Sequence, residues 1–421
     1  MIKVLIVGGG FGGVRTALDL EKRVPPESVE ITLIDKSVCH VFIPALYEVA
    51  SAFNVREDSF RLLLKRTVAI PYTEIFKDKN VNFMQAQVSR IDLAKRTATT
   101  KGGHVLHYDY LVLALGSQAA DFGVSGVRSY AYQFKSMDDA LMINTHVEKL
   151  FSEMIRTSRA QPIKFLIGGG GFTGIELAAE LAMFAHKMTR RLGMSGRRAL
   201  FYLFEAGPTI LPLISDKERL LIRRRLTQLG IVVMENCPIE EVKNKSVKLK
   251  NSRVIEGDIV IWVAGVEPNH LLRSIKGLEL TERSKIKVEE HLHLLNHKNV
   301  FAVGDIIEFI DHKTQRPIPA LGYLAIDQGK IAAQNIYHLL YGHPELEVHK
   351  PFYERWIAPI GGKYAVARLG QGILITGFWG WLVREMADFR YFASILPLGK
   401  AISFFWNETR IFIRNDPSIV S

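Results

Sequence analysis

Two glycine-rich turns carry the chemistry in this chain. One reads Val4-Leu5-Ile6-Val7-Gly8-Gly9-Gly10-Phe11-Gly12-Gly13, the other Phe165-Leu166-Ile167-Gly168-Gly169-Gly170-Gly171-Phe172-Thr173-Gly174. Gly8, Gly10 and Gly13 share G-x-G-x-x-G spacing with Gly169, Gly171 and Gly174. Glycines so placed let a strand turn sharply into a helix whose free N–H groups face a pyrophosphate. An acid closes the following strand in both cases. Asp35, with Lys36 after it, ends Ile31-Thr32-Leu33-Ile34, and Glu205 ends Phe201-Tyr202-Leu203-Phe204. A carboxylate there accepts hydrogen bonds from ribose hydroxyls, and Glu205 would repel a 2′-phosphate, so NADH is favoured over NADPH. Two such units imply two nucleotide cofactors with electron transfer between them.

Strands must return beside each turn to complete these sites. Tyr110-Leu111-Val112-Leu113-Ala114-Leu115-Gly116-Ser117 is one such run, and Asp258-Ile259-Val260-Ile261-Trp262-Val263-Ala264-Gly265 repeats its form after the second unit. Asn299-Val300-Phe301-Ala302-Val303-Gly304-Asp305 adds a third, whose terminal Asp305 could bond hydroxyls or cap a turn. The pattern predicts an α/β fold of two Rossmann-like dinucleotide-binding domains, one inserted in the other. Residues 1–125 and 283–345 would form the outer domain, 126–282 the inner one, and 346–421 a C-terminal region of different composition.

The 421 residues leave room for large cores, and the net charge of +11 asks for an anionic partner. The basic residues of the tail lie among large aromatics, which suits a membrane interface better than nucleic acid. Beyond Pro351 stand Trp356, Trp379, Trp381 and Trp406, four of the five tryptophans. Met386, Phe389, Phe392 and Leu396 form one stripe from Arg384, and Ile402, Phe405, Trp406, Phe412 and Ile413 a second. Lys400, Glu408, Arg410 and Arg414 are available for the opposite face. Such stripes predict amphipathic helices lying in a membrane surface; a homodimer contact is a compatible use of the same face. The longest uncharged stretch, Leu369 to Val383, is too short to span a bilayer. Cys39 and Cys237 are the only cysteines, far apart, which fits a reducing compartment and gives no redox pair. The first strand starts at Met1-Ile2-Lys3, so no leader peptide is expected. No spacing of His, Cys, Asp or Glu predicts a metal site.

The two turns, the run Asp35 to Ala50 (DKSVCHVFIPALYEVA), the run Tyr108 to Ser117, Glu205-Ala206-Gly207-Pro208, Trp262 to Val266 and Val303-Gly304-Asp305 together resemble the two-dinucleotide flavoprotein superfamily. More narrowly, the stretch His40 to Ala50 and the amphipathic tail are similar to the type II NADH dehydrogenases, single-subunit NADH:quinone oxidoreductases that pump no protons. The resemblance implies FAD on Gly8, Gly10, Phe11, Gly12, Gly13, Asp35, Lys36, Gly116, Gly304 and Asp305. It implies NADH on Gly169, Gly171, Phe172, Thr173, Gly174, Glu205 and Gly265. It also implies Pro44 and Gln328 beside the flavin and Glu176 near the nicotinamide and quinone. The partners would then be NADH, a membrane quinone and the membrane surface, with the protein peripheral on the cytoplasmic face of the cell membrane.

The chain departs from the family at Gly322-Tyr323-Leu324-Ala325-Ile326-Asp327-Gln328-Gly329, where Tyr323 and Asp327 replace two glutamines expected near the quinone. Tyr323, Leu324 and Asp327 are therefore the quinone-site candidates. The Gly-Tyr pair is similar to the sulfide:quinone oxidoreductases, one alternative reading. A non-catalytic NADH-sensing flavoprotein is another.

Overall fold

A computed structural model describes residues 1–52, 68–194, 196, 198–352, 354–370 and 372–415. The side chains of Glu408 and of residues 410–415 lie outside that description, and with them Arg410, Phe412, Ile413 and Arg414 of the second tail stripe.

Two compact units emerge. The first comprises Met1–Val41, Ile70–Gln118 and Glu267–Tyr353. Its main sheet has six strands in the order His293–Leu294, His297–Ala302, Tyr110–Leu113, Ile2–Val7, Val29–Asp35 and Val81–Gln85. All pairs are parallel except the first, with Val4 opposite both Ile31 and Tyr110. Val4, Leu5, Ile6 and Val7 are all buried, the mark of a parallel strand covered on both faces. The helix Phe11–Glu21 leaves the first turn and packs closely on the long helix Gly322–Tyr341. Gly329 permits that crossing, since a methyl group there would lie 2.6 Å from the Gly12 carbonyl oxygen.

The second unit comprises Phe42–Ala69, Ala119–Val266 and Glu354–Ser421. Its parallel sheet runs Tyr132–Gln133, Ile259–Trp262, Ile163–Gly168, Ala199–Phe204 and Ile231–Met234. The helix Phe172–Arg191 follows its glycine turn. Reciprocal Ser–acid boxes cap two more helices, Ser136 with Asp139 before Met137–Arg156 and Ser215 with Glu218 before Asp216–Gln228.

The C-terminal region is part of this second unit. An antiparallel sheet, Arg355–Pro359, Ala365–Leu369 and Leu374–Gly377, precedes helices Phe378–Ile395 and Leu398–Asn415. Arg225 fixes the first hairpin by donating to the carbonyls of Ile360 and Gly361, and Arg368 pairs with Glu218 at 2.6 Å. Phe42 stacks on Tyr391 and touches Phe392, which explains why the segment starting at Phe42 groups with the tail.

The tail stripes divide. Phe392 and Leu396 are buried, whereas Met386 is exposed with Trp379 one helical face away from the core. Arg384, Glu385 and Asp388 are buried on the same helix, so its inner face is ionic as well as aromatic. Leu398, Ile402 and Trp406, spaced at i and i+4, are exposed on the last helix. Among the described residues no helix is long and apolar enough to cross a membrane.

Candidate functional site

Both turns are built on the same plan. At the first, Gly8 has φ +108° and a methyl group there would lie 2.3 Å from the Ala114 carbonyl oxygen. A methyl on Gly13 would lie 1.9 Å from the Gly8 carbonyl oxygen. Only glycine lets strand and helix approach so closely. Around Gly10, by contrast, nothing among the described residues lies within 4 Å of the corresponding position, so its face is open toward a ligand. Asp35 accepts from the Gly9 N–H at 2.7 Å and from the Ser37 N–H at 2.7 Å. Lys36 beside it is exposed.

Two distant side chains then fix the Gly9 carbonyl. The Tyr72 hydroxyl donates to it at 2.8 Å, and His40 Nδ1 lies 3.0 Å from it. Burial lowers the His40 pKa to about 4, against a smaller opposing pull from that hydrogen bond. The ring is therefore neutral at pH 7, and because a carbonyl only accepts, its proton sits on Nδ1. Phe11 packs edge-on against the same imidazole.

Further along this unit, Ser117 Oγ donates to Asp305, and the buried Gln328 accepts from the Gly304 N–H at 2.7 Å. Gly116, with φ +63°, accepts from the Asn269 N–H. Asp305, Gln328, Leu324 and Lys285 line one small pocket. Burial pushes the Lys285 ammonium down, with Asp305 and Glu308 pulling the other way. Tyr323, Leu324, Asp327 and Gln328 all lie in the opening turns of the helix Gly322–Tyr341. Leu324 and Gln328 point inward, while Tyr323 is partly exposed. Asp327 is half-exposed, 3.9 Å from Lys330 and 3.7 Å from the buried His349.

In the second unit Gly169 has φ +121°, and a methyl on Gly174 would lie 1.9 Å from the Gly169 carbonyl oxygen. Glu205 takes the part of Asp35, accepting from the Gly170 N–H at 2.9 Å and the Gly207 N–H at 2.7 Å. Gly171 is open as Gly10 is, and Phe172 packs on Trp356. Thr173 is exposed, and Gly265 faces the Phe122 ring.

Glu176, one turn into the second glycine helix, is partly buried. Desolvation pushes its carboxyl up to about 8, with Arg384 opposing and Asp388 and Glu180 reinforcing. Pro44 is exposed on the one-turn helix Ile43–Ala45. Glu48, Arg384 and Asp388 were not singled out from the sequence, yet they form a buried ionic group. Arg384 Nη1 lies 2.9 Å from Glu48 and Nη2 lies 3.2 Å from Asp388. The cluster of Arg384, Glu385 and Asp388 inside an otherwise aromatic helix was the available signal.

Each turn fits an adenine dinucleotide on its own geometry. It has an open glycine at the helix start, a carboxylate anchored by two N–H bonds with lone pairs remaining, and a helix N-terminus. Two such units define a two-dinucleotide α/β oxidoreductase. The family model for pyridine nucleotide-disulphide oxidoreductases matches residues 2–329. A type II NADH:quinone oxidoreductase of Staphylococcus haemolyticus is 29% identical over 405 residues, covering 95% of this chain and 97% of that protein. One from Staphylococcus epidermidis is 31% identical over 346 residues, covering 81% and 83%. The chain belongs to the pyridine nucleotide-disulphide oxidoreductases and, within them, to the type II NADH:quinone oxidoreductase family. Among solved structures, NDH2 of Plasmodium falciparum in complex with NADH superposes with a TM-score of 0.79 at 16% identity, covering 98% of this chain and 97% of that one. The sulfide:quinone oxidoreductase of Aquifex aeolicus gives 0.76 at 19%, covering 93% and 91%. Both likenesses speak to the fold.

Proposed function

We propose that this chain oxidises NADH and reduces a membrane quinone through bound FAD, without pumping protons. The observation that carries the reading is the repeated clamp, Asp35 on the Gly9 N–H and Glu205 on the Gly170 N–H, which provides for two dinucleotides in one chain. FAD belongs on the first turn, in the fold made by residues 1–125 and 283–345, and NADH on the second, within 126–282. When bound, FAD accepts hydride from NADH and returns the electrons to the quinone.

The chain's own groups bind, orient and supply protons. Gly8, Gly10, Phe11, Gly12 and Gly13 admit the FAD pyrophosphate to the helix N-terminus, and Asp35 and Lys36 meet its ribose. Gly116, Gly304, Asp305 and Gln328 hold the flavin end. On the second turn Gly169, Gly171, Phe172, Thr173 and Gly174 receive NADH, with Gly265 beside them. Glu205 bonds the 2′-hydroxyl and disfavours a 2′-phosphate. Pro44 borders the flavin ring, and Tyr323, Leu324 and Asp327 border the quinone. Glu176, protonated at neutral pH, donates to the quinone oxygen.

The exposed Trp379, Met386, Leu398, Ile402 and Trp406 serve as a foot on the lipid, at the cytoplasmic face of the cell membrane. The same foot could pair two copies of the chain. A sulfide-oxidising reading is disfavoured because burial pushes the Cys39 thiol up, away from the reactive thiolate. Steady-state assays of NADH, NADPH and sulfide against one soluble quinone test the proposal. NADH should be the preferred donor by at least about tenfold; turnover with sulfide and none with NADH would overturn it.

A further inference from the structure

In the second unit Glu205 fixes the direction in which a dinucleotide must lie. It stands at the end of the strand Ala199–Phe204, to one side of the glycine turn that follows Ile163–Gly168. A carboxylate there takes the adenosine ribose, and the pyrophosphate sits at the helix start. The nicotinamide half must therefore cross to the other side of the turn, over the end of the neighbouring strand Ile259–Trp262. Val263, Ala264 and Gly265 follow that strand directly. They lie against the turn, since a methyl group on Gly169 would be 2.6 Å from the Ala264 Cα.

Phe122 stands at that strand end and is 66% exposed. A methyl group on Gly265 would lie 2.5 Å from both Cε2 and Cζ of its ring but 3.8 Å from Cε1, the pattern of an approach in the ring plane. The phenyl thus meets Gly265 by an edge, and that contact leaves both its faces uncovered. The backbone sharpens the point. The Val124 N–H donates to the Asp121 carbonyl at 2.9 Å, closing a four-residue turn with Phe122 at φ +49° and Gly123 at φ +73°. Two positive φ values inside such a turn favour Gly, Asn or Asp, and a bulky residue there is strained. Core burial does not offset that strain, because the side chain points to solvent. The surroundings hold the turn in place. Ala120, just before it, donates to the Gly265 carbonyl at 3.1 Å and accepts from the Trp262 indole at 2.7 Å. Ser125, just after it, accepts from the Val242 N–H at 2.8 Å. Within it the Asp121 carboxylate takes the Gly123 N–H at 3.0 Å and pairs with Arg128. A strained residue fixed in this way at the edge of a ligand site points to use by the ligand.

We infer that the Phe122 phenyl is a binding surface for the nicotinamide half of NADH. A flat aromatic face removes the apolar area of a pyridine ring and its ribose from water, and the phenyl loses its own exposure in the same contact. Phe122 forms no covalent bond and moves no proton; it holds the substrate. It also distinguishes the whole dinucleotide from its adenosine half, because a ligand that ends at the pyrophosphate stops short of Gly265. The inference rests on NADH occupying the second turn, as proposed above.

The test measures binding of NAD+ and of ADP, which carries the adenosine ribose and pyrophosphate alone, by calorimetry on the full-length, FAD-loaded protein. Phe122→Ala should weaken NAD+ binding at least about tenfold and leave ADP binding within about twofold. Phe122→Tyr, which keeps the ring, should bind NAD+ within about threefold of the wild type. Phe122→Asn places a residue that the turn prefers, so it should melt no lower than the wild type while losing NAD+ as Phe122→Ala does. Unchanged NAD+ binding in Phe122→Ala, or equal losses of NAD+ and ADP, would overturn the inference. So would a lower melting temperature in Phe122→Asn, which would make the ring a structural prop. A wild type that binds neither NAD+ nor ADP would instead overturn the placement of NADH on the second turn.

Discussion

The two glycine turns share one plan but differ in how firmly each is held. At the first, the Gly9 carbonyl takes hydrogen bonds from the Tyr72 hydroxyl and His40, side chains from two other segments. At the second, the equivalent Gly170 carbonyl receives, among the described residues, one main-chain bond, from Leu211 at 3.3 Å. The first turn is thus held by side chains from two other segments, and the second mainly by Glu205. A pre-organised site loses less freedom on binding and so retains its ligand longer. That difference suits a resident FAD on one turn and an NADH that must leave at every cycle on the other.

The strongest way to break this comparison is to crowd each turn in the same manner. Gly13→Ala and Gly174→Ala would each set a methyl 1.9 Å from a carbonyl oxygen. The first should yield protein purified without flavin. The second should yield yellow protein whose flavin NADH no longer bleaches. Flavin-to-protein ratios and absorbance on NADH addition report the two outcomes, and flavin loss in both variants would erase the assignment. Next in size is Glu205→Gln, which removes the repulsion of a 2′-phosphate. The preference for NADH over NADPH in kcat/KM should drop by about tenfold, with flavin content unchanged.

Tyr72→Phe sharpens the contrast further. It removes one hydrogen bond, worth about 1 kcal/mol, so FAD affinity should weaken about fivefold while NADH affinity holds. Titration of the apoprotein with FAD measures the first and flavin bleaching against NADH concentration the second. The last test uses pH. His40 is held neutral, its pKa lowered to about 4 from the ordinary 6.5, so unfolded chains bind its proton first as pH falls. The stability it contributes is complete above about pH 6.5 and shrinks progressively toward pH 4. Thermal melts across that range should show a decline that His40→Asn reduces.

The parts of the site legible in the sequence were those encoded locally. Strand, glycines and terminal acid stand close together, so the turns at Gly8 and Gly169 and the acids Asp35 and Glu205 could be read directly, and both carboxylates do meet their glycine turns. Tyr72 could not be found this way, because it reaches Gly9 from a segment with no motif of its own. The same is true of the Glu48–Arg384 pair, whose partners lie at opposite ends of the chain and meet only through folding. In the tail, helical spacing identified stripes but not which face would be covered. Arg384 is buried against Glu48 and Asp388 pairs with Arg384, whereas Met386 and Trp379 stayed outside.

The most direct test follows the flavin absorbance of the purified protein under anaerobic conditions. Addition of NADH should bleach it within the enzyme's turnover time, and addition of quinone should restore it, with one NADH consumed for each quinone reduced. Flavin that stays oxidised in the presence of NADH, or that NADH reduces and quinone fails to reoxidise, would contradict the account.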